Sequence, residues 1–224
     1  MDVSQPPQAD SGDRALAIAR AFVSGIPFAG GAAVEALQYV FGPPLERRRD
    51  QWMREVGESL VDLQARGLVN FDDLRNNEKF IDAVQRATQA AYRTHSEIKR
   101  TALRNAALNS ALPGSPDEIL LYIQLDRLER YTEWHLRILA LLQAPDAVPQ
   151  PPGFDANGLL GQFLELRIPA LAGRADAYDR VWRDLYQEGL VDTQTPNLGL
   201  NGTGSVEKRT TAEGDEFLAF IKQP

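Results

Sequence analysis

The stretch from Gln143 to Asn157 constrains this chain most, because Pro145, Pro149, Pro151, Pro152 and Gly153 all fall within it. Proline fixes φ and lacks the backbone donor that helices and sheets use, so such a run reads as a semi-rigid linker. It divides a long block patterned for helices from a shorter block that mixes helix and strand signals. The expected fold class is therefore mainly α, an N-terminal helical bundle plus a small C-terminal α+β domain. The expected boundaries are a polar tail over 1–13, a helical domain over 14–143, a Pro-rich linker over 144–157 and the small domain over 158–222.

Within the first block, residues 15–41 carry only Arg20 and Glu35 as charges and are interrupted by Gly25, Pro27, Gly30 and Gly31, which predicts two short apolar helices in a hairpin. Gly42-Pro43-Pro44 is expected to stop it. Leu45, Trp52, Val56, Leu60 and Leu63 then mark one face of a third helix ending at Gly67. Asn76 or Asn77 caps a helix carrying Phe80, Ile81, Val84 and Ala87, with a break or kink at Thr94 to Ser96. Ser115-Pro116-Asp117-Glu118 is a start signal, with Ser as cap, Pro at the first helical position and Glu three residues on. Whether that helix continues through Tyr131 or restarts at Thr132 stays open.

Beyond the linker the pattern predicts a short helix over 158–167, a stop at Pro169, and a second helix with Tyr178, Val181, Trp182 and Leu185 on one face and Gly189 at its end. Leu190-Val191 begins one β-like segment and 205–209 return as another, around a tip containing Pro196, Gly199, Gly202 and Gly204. Thr210-Thr-Ala-Glu213 has capping-box spacing and opens a final helix with Phe217, Phe220 and Ile221.

This order of elements, with Gly189-Leu190-Val191 and Thr211-Ala-Glu-Gly214, resembles the winged-helix fold over about 157–222. The first block resembles bacterial all-helical proteins such as the abortive-infection alpha family. The matching residues are Ile26-Pro27-Phe28-Ala29-Gly30, Leu103-Arg-Asn-Ala-Ala-Leu-Asn109 and Tyr131-Thr-Glu-Trp-His-Leu136. That resemblance implies a bacterial, phage-defence context and carries over no site residue.

Composition sets the function classes. With no cysteine, the chain has no disulfide scaffold, thiol nucleophile, Cys-ligated zinc or iron–sulfur site. His95, Glu97 and His135 are too few and too scattered for a metal site, and no cofactor motif is present: Gly30-Gly31 and Gly202-Thr-Gly204 lack the neighbours of phosphate-binding or dinucleotide loops. The opening decapeptide lacks the basic-then-apolar order of a secretory signal, so a cytoplasmic location is expected and Asn201-Gly202-Thr203 reads as a turn.

A winged helix usually meets DNA through its second helix, so Arg174, Arg180, Arg183, Lys208 and Arg209 are the candidate nucleic-acid-binding residues. Their surroundings oppose it. Arg174, Arg180 and Arg183 stand among Asp176, Asp179, Asp184 and Glu188, and from Pro151 onward 7 basic residues face 11 acidic ones, in a chain of net charge −7. Arg130 and His135 have the Arg-x4-His spacing that resembles HEPN-type ribonucleases, although Tyr131 stands where that family usually has a polar residue. The competing reading puts His135 in the first turn of a core helix. The apolar hairpin 15–41, followed by Arg47-Arg48-Arg49, raises a membrane-active effector, which its interruptions oppose. Asn105 and Asn109, four apart, can fix a helix register through their amides or line a partly exposed face.

Sequence alone thus leads to a non-enzymatic bacterial interaction or regulatory protein that docks a protein partner or self-associates. A DNA-binding regulator and a membrane-active effector stand as the alternatives.

Overall fold

In the computed structural model, residues 31–145, 152–155, 157–200 and 206–224 are described; the expected tail, most of the 15–41 hairpin, much of the linker and the 201–203 turn lie outside them. The chain divides into two compact units, Met1–Glu55 and Val56–Pro224.

Helix α1 spans Gly31–Ala65. It runs through Gly42-Pro43-Pro44, which corrects the expected stop there. A proline pair removes two ladder donors, but each loss is local, and helical residues on either side can carry the backbone past it. Among the described residues no helix is long and apolar enough to cross a membrane.

The unit Val56–Pro224 is helical: α2 Phe71–Leu74, α3 Glu78–Arg93, α4 Glu97–Asn109, α5 Glu118–Arg130, α6 Glu133–Gln143, α7 Leu160–Arg167, a 3-10 turn Pro169–Leu171, α8 Ala175–Gln187 and α9 Ala212–Phe220. Helix α4 is central, touching α3, α5, α6 and α9. Its buried residues alternate Leu103 and Leu108 with Ala102, Ala106 and Ala107, and such small side chains let neighbouring backbones approach closely. The segments on the two sides of the Pro-rich stretch belong to one body, with α8 and α9 packed against α6.

Local chemistry sets the helix ends. Asn77, rather than Asn76, caps α3 by accepting from Phe80 N at 3.1 Å. Ser96 caps α4, so the expected kink is a full break. Asp117 caps α5, accepting from Leu120 N at 2.9 Å; the helix starts at Glu118, two residues later than a Ser115 cap requires, and the Ser115 hydroxyl instead accepts from the Lys79 ammonium at 2.6 Å. The chain turns extended at Tyr131 and Thr132, which settles the open choice as a restart. Lys99 closes the end of α5 by donating to the carbonyls of Glu129 and Tyr131.

The β-like segments appear among the described residues as isolated antiparallel bridges, Val191 with Thr210 and Leu159 with Gly199, and no longer strand forms there. Bonds from Thr211 N to Leu190 O and from Asp192 N to Arg209 O close the Val191–Thr210 bridge, but the Arg209 amide leaves the pair and donates to Leu142 O on α6. The cap of α9 is Thr211, not the Thr210 of the expected box. Its hydroxyl donates to Gly189 O at 2.6 Å and accepts from Gly214 N at 3.0 Å. Gly214 is required there because a Cβ would stand 2.2 Å from Leu190 O, and Gly189 is required by its φ of +73°.

Candidate functional site

Helix α8 is strongly two-faced. Tyr178, Trp182 and Leu185 are buried, and the Trp182 indole N–H donates to Thr193 O at 2.7 Å. Burial and the Glu165 carboxylate push the Tyr178 phenol up to about 12. The opposite face exposes Asp176, Arg180, Arg183, Asp184 and Gln187, spaced by three and four as one helical stripe demands. Asp176, Asp179, Arg180, Arg183 and Asp184 line a shallow depression on this face. The spacing permits Asp176–Arg180 and Asp179–Arg183 pairs within the helix, yet among the described residues neither arginine forms an ion pair. One Asp179 carboxylate oxygen, Oδ1, is buried and lacks a hydrogen-bond partner there.

Asp184 also borders a second, smaller cleft lined by Arg130, Tyr131, His135, Gln187 and Glu188. His135 sits at the third position of α6, where its Nδ1 accepts from the Thr132 backbone N–H at 3.1 Å. The acceptor role leaves the ring proton on Nε2, which donates to Asp184 Oδ2 at 3.2 Å. The ring stacks on Tyr131 with centroids 4.6 Å apart. Burial lowers the His135 pKa, and Asp184 opposes that shift only in part. The imidazole is therefore neutral, and its two nitrogens hold a helix cap and an interhelical contact.

Beneath this cleft lies an ion-pair clasp. Arg127 donates through Nε to Glu188 at 3.0 Å and through Nη2 to Glu213 at 2.6 Å, while Arg130 reaches Glu188 at 2.9 Å and Asp126 at 3.0 Å. Burial alone would raise the Glu188 carboxyl, but hydrogen bonds from the two arginines outweigh it and hold the group below the usual carboxylate range. The clasp joins α5 to the end of α8 and the start of α9.

The structure thus sorts the candidate residues. Arg180 and Arg183 meet in one depression, Arg174 lies outside its lining at the N-terminal boundary of α8, and Lys208 and Arg209 are occupied elsewhere. Lys208 pairs with Asp215, and Arg209 with Glu207 at 3.2 Å and Asp192 at 3.7 Å. Arg130 and His135 share the small cleft, with the Arg130 guanidinium bound to carboxylates. His95 is exposed, and among the described residues no group of three or more His, Asp or Glu is placed to hold a metal ion. Sequence reasoning did not find Arg127, Glu188 and Glu213 as a unit. They lie 61 and 86 residues apart, and no local spacing signals a contact of that range.

No protein-family model, curated protein or solved structure matches the chain.

Proposed function

We propose that this is a non-enzymatic interaction protein whose working surface is the exposed face of α8, carried by a winged-helix-like module over 158–222 and rigidly mounted on a helical bundle. The order α7, turn, α8, bridge and α9 supports the module reading, and the resemblance of the first block to abortive-infection proteins attaches a bacterial, phage-defence context to it.

One observation carries the choice of partner class: Arg180 and Arg183 are exposed without ion-pair partners among the described residues, but they stand between Asp176 and Asp179 on one side and Asp184 on the other. A phosphate backbone demands a run of uncompensated cations, and carboxylates beside them reduce affinity. Lys208 and Arg209, which would extend such a run from the wing, are held by carboxylates of the chain itself. A face of mixed sign suits a protein surface of complementary charge order, where charge pairing sets register and selects partners.

The test is fluorescence anisotropy of a labelled random duplex titrated with the full chain at low salt. The proposal expects no rise that depends on Arg180 and Arg183. Salt-sensitive binding lost in R180A/R183A would favour the DNA-binding regulator instead.

A further inference from the structure

The charges on α8 have an internal symmetry. Along the helix the charges run Asp176, the half-buried Asp179, Arg180, Arg183 and Asp184, and in the first four of these each acid lies as far before the midpoint between 179 and 180 as an arginine lies after it. Two identical helices packed antiparallel about a two-fold axis bring to the same height any two positions equidistant from that axis. With the axis at this midpoint, Asp176 of each copy meets Arg183 of the other. Asp179 lies at the height of the other copy's Arg180, whose long side chain spans the offset between the two edges of the stripe.

We infer that the partner of α8 is a second copy of this chain, docked antiparallel through Asp176, Asp179, Arg180 and Arg183. The inference rests on α8 being a protein-docking face, and it names the occupant. A self-complementary order of this kind is what an isologous interface requires, whereas an unrelated partner requires no symmetry in α8 at all. Asp179 is among the residues that line the depression, so its carboxylate belongs to the face the second copy's Arg180 would meet. Asp184 falls outside the pattern, since its equidistant counterpart is Ala175, and it keeps its contact with His135. An interface built on ion pairs at an exposed surface dissociates as salt rises.

The experiment is sedimentation equilibrium of the full chain at low salt, comparing the wild type with D176R, with R183D, with the D176R/R183D double variant, and with an equimolar mixture of the single variants. All substitutions lie on the exposed face, and an unchanged unfolding midpoint checks that the fold is intact. Each single reversal creates two like-charge contacts and is expected to weaken dimerisation by about tenfold. The double variant restores it, because the pair is swapped within each contact. The mixture forms a heterodimer, one copy offering Arg at both positions and the other Asp. A wild-type monomer at every concentration, single variants that associate like the wild type, or a mixture no tighter than its components would each overturn the inference. With random duplex DNA then added to the same samples, a duplex-dependent mass increase lost in R183D would instead overturn the docking reading beneath it, so the two failures are told apart.

Discussion

Glu213, at the start of α9, accepts from the buried Arg127 guanidinium at 2.6 Å, although 86 residues separate the two along the chain. The contact fixes one end of α9 against α5, and with Glu188 it ties the C-terminal module to the bundle. Replacing Arg127 by Ala removes a buried stem and its two ion pairs, but Glu188 keeps Arg130 and Glu213 is half exposed to water, so the loss in denaturant unfolding should be about 1–3 kcal/mol. Arg127→Met, which keeps the packed stem, should cost less. Equal, negligible losses in both would show that the clasp carries no stability.

Gly214 and Gly57 should respond in opposite directions to the same substitution. A Cβ on Gly214 meets Leu190 O at 2.2 Å, so Gly214→Ala forces α9 off its seat and should destabilise by about 3 kcal/mol or more. Gly57 is exposed within α1 with nothing within 4 Å of a new Cβ, and Gly57→Ala should stabilise by about 0.5–1 kcal/mol. Thermal unfolding of the two variants reads both signs.

Asn105 and Asn109 hold the other end of α9. Asn105 donates to Ile221 O at 3.0 Å, and Asn109 to Phe220 O at 2.7 Å and Lys222 O at 2.8 Å, which satisfies carbonyls that the helix end leaves open. Asn109→Ala should cost about 1–2 kcal/mol and raise hydrogen exchange in 217–222 before the rest of the chain. Unchanged exchange there would contradict the clamp.

His135 makes stability depend on acid. Folding lowers its proton affinity, so the unfolded chain binds the proton first; its contribution is whole above pH 6.5 and is lost as pH falls through the depressed folded-state value. A proton on Nδ1 would also set two donors against each other at Thr132. His135→Gln keeps a side-chain acceptor at this capping position without titrating there, and should flatten the loss of stability on going from neutral to mildly acid pH. A slope identical to the wild type would place the titration elsewhere.

Much of the fold was legible because caps and breakers act over a few residues. Asn77, Gly67, Gly189 and the Thr211-to-Gly214 step all do in the structure what their residue types suit them for. Where two local signals competed, the later one set the helix start: α5 begins at Glu118 with Asp117 as its cap, and Ser115 is left to a contact from afar, its hydroxyl accepting from Lys79, 36 residues earlier. Pro43-Pro44 misled because proline cost is a local penalty, not a prohibition. The site was half legible. The stripe of α8 follows from helical spacing, but that Lys208 is taken by Asp215 while Arg180 has no ion-pair partner among the described residues depends on how the chain comes together around α9.

The most direct test of the central claim, that the α8 face docks protein and not nucleic acid, is the light-scattering mass of the full chain at low salt, alone and with random duplex DNA. The account predicts a mass above that of one 24.8 kDa chain, unaffected by the duplex and falling toward the single-chain value as salt rises. A single-chain mass that increases only when DNA is added, and returns at higher salt, would contradict it.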